Sequence, residues 1–241
     1  MLQEMHPTYR RLSQLSAVHK GTAFEHRALQ LLHDHFSMLL RCVGGKSDGG
    51  IDLVGWWWLP VPSQDGAPRV ETLPRRRLRV LAQCKAEKKK FGPNYVREME
   101  GVWHAHVHPP MRVPNSYPSP ITISEQRFGE HHPCAALLIS ESPFTQSTLR
   151  RALSSNVPFL LLHLPPNAPV ASSSMSPPAI GAVYPNPALV HLTSPLEIRW
   201  ERPSLRNASS FEMVREGYGR PGLWLHGQRI SSWTTDNNGD P

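Results

Sequence analysis

Asp52 ends the run Ser47-Asp48-Gly49-Gly50-Ile51-Asp52, and Gln83-Cys84-Lys85 ends a later apolar run. A carboxylate, an amide and an ammonium group on successive strands suit metal-assisted hydrolysis of a phosphodiester. That reaction needs an activated water, an electrophilic metal ion and neutralisation of the charge that builds on phosphorus. Asp52 would give a hard oxygen to Mg²⁺ or Mn²⁺, ions held by one or two carboxylates plus waters and substrate oxygens. Residues i and i+2 of a strand share a face, so Gln83 and Lys85 project together. Cys84 then turns away and offers only its backbone carbonyl to a metal. The Lys85 ammonium would orient the attacking water and stabilise transition-state charge. Gln83 is neutral and a weaker ligand than an acid.

Two further groups bear on this site. Thr22-x-x-Glu25 reads as a capping box, in which Glu25 satisfies the helix N-terminus. Yet Leu29, Leu32 and Phe36 lie at i+4, i+7 and i+11 from Glu25. That spacing sets it at the edge of the buried stripe and makes it a candidate second metal ligand. The basic residues Arg75, Arg76, Arg77 and Arg79, then Lys88, Lys89 and Lys90, flank Gln83-x-Lys85 on both sides in sequence. A run of this kind is ordinarily a solvated edge. Beside a phosphodiester site it reads as phosphate contacts, with Arg75, Arg76, Arg77, Lys88, Lys89 and Lys90 binding nucleic acid. Trp56-Trp57-Trp58 offers base-stacking surface or core packing. Glu98 shares a helical face with Tyr95 and Val102 and is within reach of Lys85, with a surface ion pair as its ordinary role; Glu100 is equally open.

These residues need elements to place them. Phe24, Ala28, Leu31, Leu32, Phe36 and Leu39 predict a helix from Thr22 to about Leu40. Gly44-Gly45 and Gly49-Gly50 bracket a turn, and strands over 51–58 and 78–85 form a hairpin with a long, proline-rich connection. Pro93 and Asn94 open a helix with Tyr95, Met99, Val102, Trp103 and His106 on one stripe. The apolar strands 135–139 and 157–162, joined by a helix over 145–155, predict parallel neighbours with a right-handed crossover. Leu189 to Leu192 suggests a short strand, and 223–230 an edge strand or hairpin. The expected organisation is an N-terminal extension over 1–18, a domain over 19–163 with insertion loops near 60–74 and 108–133, a Pro/Ser-rich linker over 164–187, a partly ordered extension over 188–233 and a tail over 234–241.

Composition bounds the partners. With 241 residues and 39% hydrophobic content the chain can bury one full core. Its 26 Lys+Arg against 19 Asp+Glu, a formal net charge of +7, favour a polyanionic partner. Apolar runs such as 157–164 are too short to span a bilayer, so no stable membrane insertion is expected. Cys42, Cys84 and Cys134 lie far apart with no C-x-x-C, which argues against a disulfide framework or structural zinc and fits a reducing compartment. His104, His106, His108, His131 and His132 lack a second ligand cluster and read as solvated. Arg10, Arg11, Ser13 and Ser16 make a weak presequence, diluted by Glu4.

The order Gly21-x-x-Phe24-Glu25, Ser47 to Asp52, Gln83-Cys84-Lys85, then Tyr95-Val96-Arg97-Glu98-x-Glu100-Gly101 resembles the PD-(D/E)xK restriction-endonuclease-like superfamily. Its Mrr-type branch, in which Q-x-K commonly replaces the acidic motif, is the nearest in look. More narrowly, the chain is similar to the fungal mitochondrial "required for respiratory growth" proteins. The resemblance covers about residues 19–163. It implies an α/β fold, restriction-endonuclease-like, with a central mixed β-sheet flanked by helices. It also implies a divalent-metal site at Glu25, Asp52, Gln83 and Lys85, and mitochondrial residence. The function expected from it is metal-dependent cleavage of nucleic acid, DNA ahead of RNA, in support of respiratory growth. The alternatives are a non-catalytic nucleic-acid-binding factor on the same fold and a mitochondrial assembly protein whose proline-rich loops bind partners.

Overall fold

The computed structural model describes residues 17–43, 49–61, 73–108, 132–166, 180–201 and 220–235. Helix α1 (Ala17–Phe36) leads into β1 (Met38–Cys42), followed by β2 (Leu53–Pro60), β3 (Arg75–Lys85), α2 (Pro93–Val107) and β4 (Cys134–Ser140). Then come α3 (Gln146–Leu153), β5 (Phe159–His163), β6 (Ala182–Pro185), α4 (Pro187–Thr193), β7 (Leu196–Glu201), β8 (Arg220–Leu225) and β9 (Gln228–Ile230). Strands β1 to β6 form one mixed sheet in chain order, and β7-β8-β9 a second, smaller one. β2 and β3 pair antiparallel as the expected hairpin, whereas β3, β4 and β5 run parallel. The molecule is thus a mixed α/β structure with a six-stranded sheet flanked by helices.

Strand alternation sorts the core into two layers. Leu78, Val80 and Ala82 of β3 face α1, joining Phe24, Ala28, Leu31, Leu32 and Phe36, while Cys84 packs against the same cluster. Leu81 faces the other way with Ile51 and Val54, where Val102 and Trp103 of α2 cover it. Every residue of β4 is buried, as expected for a parallel strand covered on both faces. The small sheet contributes Leu196, Leu223, Leu225 and Ile230 to the α1-side cluster, so it shares that core.

Several boundaries differ from expectation for identifiable reasons. Helix α1 begins at Ala17, so Thr22 and Glu25 stand inside the helix and form no capping box. It ends at Phe36 because Ser37 adopts φ 57°, and the Leu39-Leu40 stretch becomes strand β1. Ser37 is held in this conformation from the C-terminal side. Its amide donates to Ser232 Oγ at 3.1 Å, and its Oγ accepts from Trp233 N at 3.1 Å. β3 starts at Arg75 and takes the arginine run into the sheet. Residues 187–193 form helix α4 instead of a strand, because Pro187 occupies the first turn and Asn186 Oδ1 caps Leu189 N at 2.9 Å. Strand β6 lies within the stretch read as linker and pairs with β5. On α2, Val96 joins Met99 as buried, while His106 is exposed. Residues 1–16, 44–48, 62–72, 109–131, 167–179, 202–219 and 236–241 lie outside the described residues, and with them the expected presequence, most of the two insertion loops, the Ser-rich linker, part of the C-terminal extension and the tail.

Candidate functional site

Asp52 immediately precedes β2 and is fixed on both sides by main chain. Its amide donates to Ala82 O, and its carbonyl accepts from Val43 N, each at 2.9 Å. The β2–β3 ladder stops at Leu53↔Ala82. Just beyond it, Asp52 Oδ2 accepts the Cys84 amide at 2.6 Å. A carboxylate therefore takes the place of the next main-chain partner, a short charge-assisted bond that joins the acid to the Q-x-K segment.

Gln83 and Lys85 lie on the α2 face, as their alternation with Cys84 requires. Gln83 is 2% exposed, and its Oε1 is buried with no hydrogen-bond partner. Such an atom costs about 1–3 kcal/mol unless a ligand satisfies it. Gly50, with φ +83°, leaves the space beside it: a Cβ there would stand 3.5 Å from Gln83 Nε2 and 3.4 Å from Glu98 Oε1. Lys85 Nζ sits 5.2 Å from the centre of the Tyr95 ring. Tyr95 Oη donates to Glu87 Oε2 at 3.3 Å; burial, then the charge and bond of Glu87 and the charge of Glu98, push this phenol up. Gly50, Gln83, Lys85, Tyr95 and Glu98 thus form one constellation where β3 meets the start of α2.

Glu25 approaches from the other layer. It is half-buried on α1, and its charge is felt together with that of Asp52 at two thiols. Burial pushes both Cys42 and Cys84 up, and the two carboxylates add to it. The structure therefore brings Asp52 against Cys84 and gathers Gln83 and Lys85 with Glu98, while Glu25 belongs to the Cys84 side of the sheet. Glu98 is the residue the sequence undervalued. Its signal was the one-turn spacing from Tyr95.

The basic flank divides. Lys88, Lys89 and Lys90 are exposed in the segment between β3 and α2, next to the constellation. Arg75, Arg76 and Arg77 occupy the opposite end of β3; eight or more residues at about 3.3 Å each separate them from Lys85. Arg76 Nη2 donates to Leu192 O at 2.9 Å, and Arg77 lies over Trp56 at 4.5 Å. Among the described residues no group of three or more His, Cys, Asp or Glu side chains is placed to hold a metal ion. The available donors are oxygens of Asp52, Glu98 and Gln83, a set that suits a hard cation retaining several waters. The unpartnered Gln83 Oε1 is the observation that fits such an ion.

These features define a mixed α/β protein in which Asp52 binds the Cys84 amide at the end of the β2–β3 ladder, with Gln83 and Lys85 on either side of Cys84 in β3. Residues 16–114 match the family model described as Required for respiratory growth protein 7, a stretch that includes Glu25, Asp52, Gln83, Lys85 and Glu98. An uncharacterized mitochondrial protein of Schizosaccharomyces pombe is 34% identical over 96 residues, covering 40% of this chain. The match spans 34% of that relative's length. No solved structure matches. The family description ties its members to respiratory growth, and the relative's description as mitochondrial supports a mitochondrial location. No described helix is long and apolar enough to cross a membrane.

Proposed function

We propose that the chain is a nuclease-like protein of restriction-endonuclease-like fold that acts on mitochondrial nucleic acid, DNA ahead of RNA, and supports respiratory growth through genome maintenance or expression. The observation that supports this reading is the buried, unpartnered Gln83 Oε1, on the strand whose Cys84 amide binds the Asp52 carboxylate. Asp52, Gln83 and the Cys84 carbonyl would hold Mg²⁺ or Mn²⁺, with Glu98 of α2 as the further carboxylate on the Gln83 side; Glu25, on the Cys84 side, would act on the site through the charge it shares with Asp52. A bound ion supplies polarisation of the phosphodiester and a more acidic water. The chain does the rest: Asp52 is oriented by the Cys84 amide, and Lys85 neutralises charge on phosphate. Lys88, Lys89 and Lys90 would guide the backbone toward it.

The test is a cleavage assay of the full chain on single-stranded, duplex and branched DNA and on RNA, with Mg²⁺ or Mn²⁺. Asp52→Ala and Lys85→Ala are expected to lower cleavage by about 100-fold or more, the scale of removing one transition-state electrostatic group. Absence of metal-dependent cleavage of every substrate would end the enzymatic reading. A specific feature favours the second reading, a non-catalytic nucleic-acid-binding factor: the neutral Gln83 and the lack of a three-acid group among the described residues. Salt-sensitive binding that survives Asp52→Ala, without cleavage by the wild type, would select it.

A further inference from the structure

At the far end of the β2–β3 hairpin lies a recess of about 400 Å³ lined, among the described residues, by Trp58, Arg75, Arg76, Arg77, His132 and Pro133. Its walls follow from the register. Trp56 pairs with Arg79, Trp58 with Arg77 and Pro60 with Arg75, so indoles and guanidinium groups alternate on one face of two strands. Trp57 turns the other way and is fully buried. Arg77 and Arg79 lie over the Trp56 ring at 4.5 and 5.2 Å, and Arg75 over Trp233 at 5.3 Å. Trp58 meets the Trp233 ring edge-on, with centroids 5.7 Å apart.

Two donors here have no acceptor. Trp58 Nε1 and Arg75 Nη1 are buried and unpartnered. No carboxylate lines the recess among the described residues, and burial lowers Arg75 below the ordinary guanidinium range. Arg77 Nη2 is 3.4 Å from His132 Nε2. A guanidinium is a donor only, so that nitrogen accepts and Nδ1 carries the ring proton. Trp58 Nε1 and Arg75 Nη1 are therefore donors without an acceptor, in a wall that also carries cationic and aromatic groups. A recess of several hundred Å³ matches a nucleotide-sized ligand.

We infer that this recess is a nucleotide-phosphate subsite for single-stranded nucleic acid, about 30 Å along β3 from Lys85. Trp58 Nε1 and Arg75 Nη1 donate to a phosphate oxygen, and a flanking base stacks on the exposed Trp233 indole that meets Trp58. This assignment rests on the nucleic-acid reading above and deepens it, because it gives the strand a second point of attachment remote from the reacting end.

The experiment measures binding of a fluorescent single-stranded oligonucleotide to the full chain in EDTA, so that cleavage plays no part, across a salt series. Trp58→Phe keeps an aromatic ring and loses the orphan donor. Arg75→Gln with Arg77→Gln removes the cations, and Arg75→Lys with Arg77→Lys keeps charge without the planar fork. Arg199→Gln on β7 removes a cation elsewhere. Expected are about tenfold weaker binding for Trp58→Phe and for the double Gln variant, and a salt slope shallower by about 1 to 2 in the latter. The double Lys variant should fall between, with Arg199→Gln like the wild type. Matching thermal melts of Trp58→Phe and wild type keep the result interpretable if the double Gln variant fails to fold. Unchanged affinity in Trp58→Phe and the double Lys variant, with the wild type binding well, would overturn the subsite and leave the proposed cleavage untouched. Binding of inorganic phosphate or a free mononucleotide at the recess without strand binding would overturn the strand assignment. Loss of cleavage in Mg²⁺ alongside normal strand binding would instead count against the nuclease reading alone.

Discussion

At the scale of single residues, the candidate site depends on groups whose ordinary partners are missing or replaced. Asp52 takes the Cys84 amide that a continuing strand would have bonded, which is how an acid outside the ladder becomes rigid. Gln83 carries an unpaired oxygen into the same corner. Gly50 shapes the corner through its backbone, since its φ of +83° is one that side chains rarely adopt, while a Cβ there would make only ordinary contacts at 3.4 and 3.5 Å. Gly50→Ala should therefore destabilise the fold by about 1–2 kcal/mol, measured by denaturant unfolding. An unaltered midpoint would show that the turn relaxes freely. Gly55 is constrained differently: a Cβ there would lie 2.1 Å from Leu39 O, so β1 can pair with β2 only across a glycine.

At the scale of elements, Asn186 joins four pieces of chain. Its Nδ2 donates to Ala152 O at 3.0 Å, Ser155 O at 3.1 Å and Val157 O at 2.8 Å, while Oδ1 accepts from Phe159 N and Leu189 N, each at 2.9 Å. It is 1% exposed. One side chain thus caps α4, closes the end of α3 and anchors β5. Asn186→Ala would leave these groups buried and unpaired, at an expected cost of about 3 kcal/mol in chemical denaturation. A loss below about 1 kcal/mol would mean that water replaces the amide. The sequence reading of a short strand at Leu189–Leu192 missed this cap, although Asn186-Pro187 carries its local signal. The bonds to α3 and β5 were not, because they join residues distant in sequence.

At the scale of the whole molecule, the thiols report the core's response to pH. Burial pushes Cys134 up from 9.0 to about 12, opposed by Arg79 and Trp103, and Cys84 well above its ordinary value. The folded state keeps these protons where the unfolded chain has released them. Their contribution is full below about pH 9 and is lost as pH rises toward about 12. Denaturant midpoints should fall over that alkaline range, and Cys134→Ala should flatten the fall; an identical slope in the variant would assign it to other groups. The positive charge is also distributed at this scale. A flank continuous in sequence becomes two basic regions at opposite ends of β3, because an extended strand carries its ends far apart.

The chain itself determined the mixed α/β class, the β2–β3 hairpin, the parallel β4–α3–β5 unit and the common face of Gln83 and Lys85, since all rest on local periodicity and on the two-residue repeat of a strand. It also set Asp52 beside Q-x-K, as hairpin partners must be. Tertiary structure decided what long-range contacts decide. The C-terminal Ser232 and Trp233 hold Ser37 where α1 stops and β1 begins. Packing placed Glu25 on the Cys84 side and Glu98 beside Gln83. It also buried the Trp58 and Arg75 donors in a recess whose walls come from segments widely separated along the chain.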